Sequence, residues 1–180
     1  MKDAEFEQFR NTLLMLARSL LARQRRADIE ASDLVQESML EAHRDRHKCT
    51  ANTDAEKFAW LRQILQNNFL DAYNKAHAGK RDVARKALEA DLSGSFAGLD
   101  ALLVASQTSP SEGANRNEQL TQLADALEQL PEQQRTVIML KDLNGLTLKE
   151  VSDELDMTIP VVAGHLYRGR QRLMELMKAD

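Results

Sequence analysis

Apolar residues along this chain recur every three or four positions and almost never alternate, so the pattern predicts helices throughout. Phe6, Phe9, Leu13, Leu16, Ala17 and Leu20 form one stripe. They predict a first helix over about 3–24, ending in a basic knot of Arg23, Arg25 and Arg26. Ser32 is placed to cap a second helix over 33–44, with Val35, Met39 and Ala42 inward. A polar loop from His47 to Thr53 follows. Asp54 is then placed to cap a long third helix over 55–76, whose inner stripe is Phe58, Leu61, Leu65 and Ala72. Gly79 breaks it, and a basic-then-acidic helix is expected from Lys80 to about Asp91. Over 93–113 the composition shifts to Ser, Gly, Ala and Thr with Pro110, which reads as a linker. Leu99, Leu102, Leu103 and Val104 within it could form a short docking turn. Leu120, Leu123, Leu127 and Leu130 open a second apolar stripe. Pro131 starts the next helix, to about Leu143, and Gly145 ends it.

The stretch from Thr147 to Leu173 carries the sharpest local pattern. Thr147 and Glu150 have the spacing of a capping box, and Val151 and Leu155 lie four apart on one face. Asp156 and Met157 make a turn. Thr158 is a second cap candidate, and Pro160 falls in a first helical turn, where it is tolerated. Ile159, Val162, Leu166 and Leu173 share the expected buried face of the second helix. His165, Arg168, Arg170 and Arg172 occupy its other face and far end. Two short helices joined this way, with cations on the second, are the signature of a DNA-binding helix-turn-helix. An ordinary helical hairpin with a solvated basic face would leave much the same pattern.

Composition narrows the classes. Aromatics make up 4% and charged residues 29%, with 7 glycines and 3 prolines, which suits amphipathic helices and excludes a β-sandwich. The fold class expected is all-α, with two small helical domains joined by a linker, over about 1–92, 93–117 and 118–180. A formal net charge of -4 means that contact with nucleic acid has to come from local basic patches. One cysteine excludes an internal disulfide and fits a reducing cytosol, so a cytoplasmic protein without membrane insertion is expected. His43, His47 and Cys49 lie close in sequence but lack an evident fourth donor, so no metal site is expected. Nor does a phosphate-binding loop, nucleophile elbow or catalytic carboxylate pair stand out. The chain reads as a binding protein without a cofactor, not an enzyme.

Two polar groups remain. Asp33, Gln36 and Glu37 share one helix face and offer acceptors to a basic partner. Asn67, Asp71, Asn74, Lys75, Lys80 and Arg81 run across the end of the third helix, with Arg85 and Lys86 beyond. Cations there suit phosphates, and Asn and Asp suit base edges. Solvated helix ends would account for either group taken alone.

Asp33-Leu34-Val35-Gln36-Glu37 with Ala42, then Trp60-Leu61, Ile64, Asn67 and Asp71, resemble the first domain of bacterial sigma factors. Leu130-Pro131-Glu132, Gln134-Arg135, Gly145-Leu146-Thr147, Glu150-Val151, Leu166, Arg168, Arg170 and Leu173 resemble their promoter-binding domain. The short two-domain chain is similar to the extracytoplasmic-function (ECF) branch. The resemblance implies a subunit that binds core RNA polymerase through Asp33, Gln36 and Glu37 and helps open promoter DNA near Asn67 to Arg81. It also implies that Pro160, Val161, Ala163, Gly164, His165, Arg168 and Arg170 read an upstream element, and it allows an anti-sigma factor as a further partner. Three departures stand out. Lys57 lies where relatives have an aromatic, and Asn74-Lys75 where they often carry paired arginines. Ala163, Gly164 and His165 replace their Lys or Arg, Ser, and Lys or Arg. A stand-alone helix-turn-helix regulator with an N-terminal sensing or dimerising domain is the alternative, as is a helical adaptor that no longer binds DNA.

Overall fold

The computed structural model describes residues 4–22, 29–76 and 113–178. These are helical, and the first stripe is built in two pieces, α1 (Ala4–Glu7) and α2 (Arg10–Ala22). The expected single helix is interrupted because the Phe9 amide bonds to the Phe6 carbonyl three residues back, tightening the chain into a turn. That turn sets Phe6 between His43 and Trp60, with ring centroids 5.6 and 5.7 Å away, and Phe9 5.8 Å from Phe58. A packing role therefore accounts for His43. The basic knot lies outside the described residues.

Helix α3 (Ala31–Arg44) starts two residues earlier than Ser32 as a cap would have it. Glu30 is its N-cap and makes no side-chain cap bond, so Ser32 belongs to the first turn. A short 3-10 turn (Arg46–Lys48) leads to α4 (Asp54–Ala76). Its cap is Thr53, not Asp54: Thr53 Oγ1 accepts the Glu56 amide at 3.3 Å, and Glu56 Oε2 accepts the Thr53 amide at 3.1 Å. This reciprocal pair is a capping box. It holds the Glu56 carboxyl below its usual range, the Asn52 and Thr53 amides being the main cause. Phe58, Leu61, Ile64, Leu65 and Phe69 fill the core, while Ala72 is only half-buried. The helix expected from Lys80 and the docking turn at 99–104 lie outside the described residues.

The second part holds α5 (Gly113–Glu128), α6 (Glu132–Ile138), α7 (Leu148–Leu155) and α8 (Ile159–Leu176). Between α6 and α7 the chain widens into a π-helical turn, Met139–Leu143, and the Asn144 amide bonds to the Met139 carbonyl five residues back. Gly145 follows at φ +73°, a left-handed conformation that glycine takes without penalty.

The two halves pack on one another through a single continuous core. Helix α5 rests on α2 and α4, and the π turn rests on α2. At the centre, Ser19 Oγ donates to Asn144 Oδ1 at 2.9 Å, and Asn144 Nδ2 donates to the Ser19 carbonyl at 2.9 Å. Both residues are buried, so this is a satisfied polar pair inside an apolar contact. Around it, Asn11 Nδ2 donates to Asp125 at 2.7 Å, and Glu128 lies between Arg18 and Arg135.

Candidate functional site

Helix α3 sorts its side chains between core and solvent with one apolar exception, the exposed Leu40. Leu34, Val35, Ser38, Met39 and Ala42 are buried, and Ser38 Oγ donates to the Leu34 carbonyl at 2.7 Å while accepting from Asn68 Nδ2 at 3.2 Å. That fixes α3 against α4. Asp33, Gln36 and Glu37 are left exposed together, as their spacing implies, with Asp33 in the first turn, where the helix dipole favours an anion.

On α4, Asn67, Asp71 and Lys75 are exposed at successive four-residue steps, and Asn74 is half-buried beside them. Asn67 Oδ1 accepts from Gln63 Nε2 at 3.1 Å, which orients its amide. Lys80 and Arg81 lie outside the described residues. Lys57 has a structural explanation. Its ammonium is 2.6 Å from Glu5 and 3.5 Å from Asp54, and the side chain is 17% exposed. The bond to Glu5 is the main reason that its pKa is raised. It ties α1 to the start of α4, where an aromatic would have had to do so by packing.

The helix-turn-helix is α7 and α8. Thr147 caps α7 with the full capping box: Glu150 Oε2 accepts from the Thr147 amide at 2.7 Å and Thr147 Oγ1 from the Glu150 amide at 3.2 Å. These bonds lower the Glu150 pKa. The turn is closed by Asp156 in the left-handed region, φ 50°. Helix α8 buries Val162, Leu166 and Gly169. Ile159, expected inside, is 45% exposed; it is the first helical residue, with no preceding turn of its own helix to pack beside it.

At 100° per residue, Pro160, Gly164, Tyr167 and Gln171 lie opposite the buried stripe of α8. Val161 and Arg168 flank them on one side, Ala163 and Arg170 on the other. Pro160, Val161 and Arg168 are exposed; Ala163 and Gly164 are half-buried. His165, expected to face outward, is also half-buried, and its Nδ1 is shut off from solvent without a hydrogen-bond partner. Arg170 is engaged by Asp142 through two bonds, 2.9 and 2.5 Å, the chief cause of its raised pKa. That pair stitches α8 to the π turn. Arg168 lies back along the helix, its Nη1 3.2 Å from where a Cβ on Gly164 would sit. Tyr167 and Gln171, both exposed, were not singled out by the charge pattern, although their offsets from Gly164 place them on the same face.

Two family models match. Sigma-70 region 2 covers residues 6–78 and sigma-70 region 4 covers 120–173, so α1–α4 and the helix-turn-helix half each fall under one of them. The chain belongs to the ECF sigma factors of the sigma-70 family. Among similar proteins is the ECF RNA polymerase sigma factor SigW of Bacillus subtilis, 28% identical over 152 residues, which span 83% of this chain and 76% of that protein. The ECF RNA polymerase sigma-E factor of Salmonella typhimurium is 29% identical over 148 residues, 80% of this chain and 72% of that protein. A solved structure of the sigma factor RpoE from Bartonella quintana with the anti-sigma factor NepR is 22% identical, covers 100% of this chain and 99% of that one, and superposes at a TM-score of 0.36. As a sigma factor this chain serves transcription initiation by RNA polymerase and catalyses no reaction itself. Among the described residues, no helix of this sigma factor is long and apolar enough to cross a membrane.

Proposed function

We propose that α3 is the polymerase-binding helix, with Asp33, Gln36 and Glu37 as its polar contacts. The observation that supports this is the sorting of α3: three acceptor side chains stand together in solvent while Leu34, Val35, Met39 and Ala42 are buried. Charge reversal at such a face opposes docking on a basic surface without touching the fold. Glu37→Lys is expected to weaken binding of core polymerase about tenfold or more, while its melting temperature stays close to that of the parent, since exposed substitutions shift stability by about 0.5 kcal/mol or less. Titration of core enzyme beside a thermal melt tests it; undiminished binding by the folded variant would remove α3 from the interface.

We further propose that Asn67, Asp71, Asn74, Lys75, Lys80 and Arg81 meet the melted downstream element and the outer face of α8 the upstream duplex. The domains are then 1–92 and 118–180 with a linker over 93–117, in a cytoplasmic protein. The outer face of α8 offers Val161 and Ala163 to a thymine methyl and Arg168 to a phosphate, but few bidentate donors. The isolated second domain is therefore expected to bind duplex weakly. Ala163→Lys with His165→Arg should tighten binding and steepen its dependence on salt, as added phosphate contacts do. Gel-shift titration of the natural and doubly substituted domains at two salt concentrations checks this. Tight, specific binding by the natural domain, with no gain on substitution, would mean that its small residues are already a fitted surface.

A further inference from the structure

Helix α3 has one side chain that its polar motif does not explain. Leu40 is 64% exposed, whereas Leu34, Val35, Met39 and Ala42 on the same helix are all at or below 6%. Among the described residues, the other exposed large hydrophobics, Ile159, Val161, Tyr167, Met174 and Met177, all lie between positions 159 and 177, and only Tyr167 is as exposed as Leu40. Leu40 is thus the single such residue described in the first domain. Isolated exposed leucines are common, and exposure alone carries little. Its position carries more.

At 100° per residue, Leu40 lies 20° from Asp33 around the helix axis and between Gln36 and Glu37, one turn further along. It stands in the middle of the face whose polar members are Asp33, Gln36 and Glu37, and nothing among the described residues covers it. Glu41, half-buried, and Arg44, exposed, border it on the far side. An apolar centre inside a ring of hydrogen-bonding and charged groups is the layout of a protein interface, where the centre loses its water and the rim stays wet.

We propose that Leu40 is the apolar anchor of the polymerase contact. It enters an apolar socket on core polymerase whose rim is basic and pairs with Asp33 and Glu37. This rests on the assignment of α3 to polymerase, and it adds what kind of surface the partner presents: a socket within a positive field, not a positive field alone. The carboxylates steer and orient the encounter, and the leucine supplies burial that salt does not screen.

The test measures affinity of the full chain for core polymerase at two salt concentrations. Leu40→Ala is expected to bind at least tenfold more weakly at both, with an unchanged slope against salt and an unchanged melting temperature. Leu40→Met, which keeps an apolar side chain of similar volume, should retain affinity within about threefold. Glu37→Lys should lose affinity with a changed salt slope. Binding of Leu40→Ala at the parental level overturns the anchor, as does an equal loss in Leu40→Met. If Leu40→Ala is silent while Glu37→Lys is weakened, the anchor falls and the α3 assignment stands. If neither variant differs from the parent, both fall.

Discussion

Asn144→Ala is expected to destabilise the protein by about 1–3 kcal/mol and to uncouple its two halves. The side chain is buried and makes two bonds to Ser19 across the domain contact. Removing it strands the Ser19 hydroxyl away from water, and an unsatisfied buried polar group costs about that amount. The single tryptophan, Trp60, lies in the first domain and reports on that half, while far-UV circular dichroism reports on both. In the parent chain the two signals should change together during denaturation, as one cooperative unit requires. In Asn144→Ala they should separate. Because Asn144 also closes the π turn through its backbone, Ser19→Ala is the companion from the other side of the bond. Contacting residues couple by about 0.5–3 kcal/mol in a double-mutant cycle. Losses that simply add would mean that the pair contributes no specific docking energy.

Gly169→Val is expected to cost about 1–3 kcal/mol by overpacking. Gly169 is the point where α8 crosses α6. A Cβ there would lie 2.8 Å from Ile138 Cδ1, 3.2 Å from Gln134 Cβ and 3.5 Å from the Gln134 carbonyl oxygen. The isoleucine methyl can swing away, but Gln134 Cβ is fixed to its helix. Gly169→Ala sets this crowding against a gain in helix propensity of about 1 kcal/mol, so it should be close to neutral. Gly164→Ala is the contrast. Its neighbour is only the mobile end of Arg168, and the propensity gain should dominate. Thermal melts of the three variants rank them; a parental melting temperature for Gly169→Val would show that α6 and α8 can part at no cost.

Those two glycines also show where sequence reasoning stops. From the sequence both are merely poor helix formers in a recognition helix. Only the crossing of α6 and α8 reveals that one is a contact and the other a gap. Local signals transferred well: the Thr147 capping box, the turn at Asp156 and the acidic face of α3 depend on neighbours within four positions, and the structure has each of them. Where two local cues competed, Thr53 and Asp54 for the start of α4, the choice turned on which side chain could reach the Glu56 amide. Ile159 was misplaced because periodicity ignores where a helix ends. The Ser19–Asn144 pair had no legible signal, since its members are 125 positions apart and neither belongs to a motif. Leu40 carries no signal of its own in the sequence, because it lies beyond the Asp33–Glu37 motif and a lone leucine on a helix reads as core.

The domain contact has one further property that follows from being made within a single chain. Its two faces are tethered, so dilution does not separate them: the balance between docked and undocked forms is a ratio of two first-order rates and is the same at nanomolar as at millimolar protein. The tether replaces the protein's own concentration with an effective concentration set by the connecting chain. Even a contact that would be negligible between separate molecules can thus keep most copies docked. By the same arithmetic, a substitution that weakens docking tenfold changes that ratio tenfold in every cell, however little or much of the protein is made.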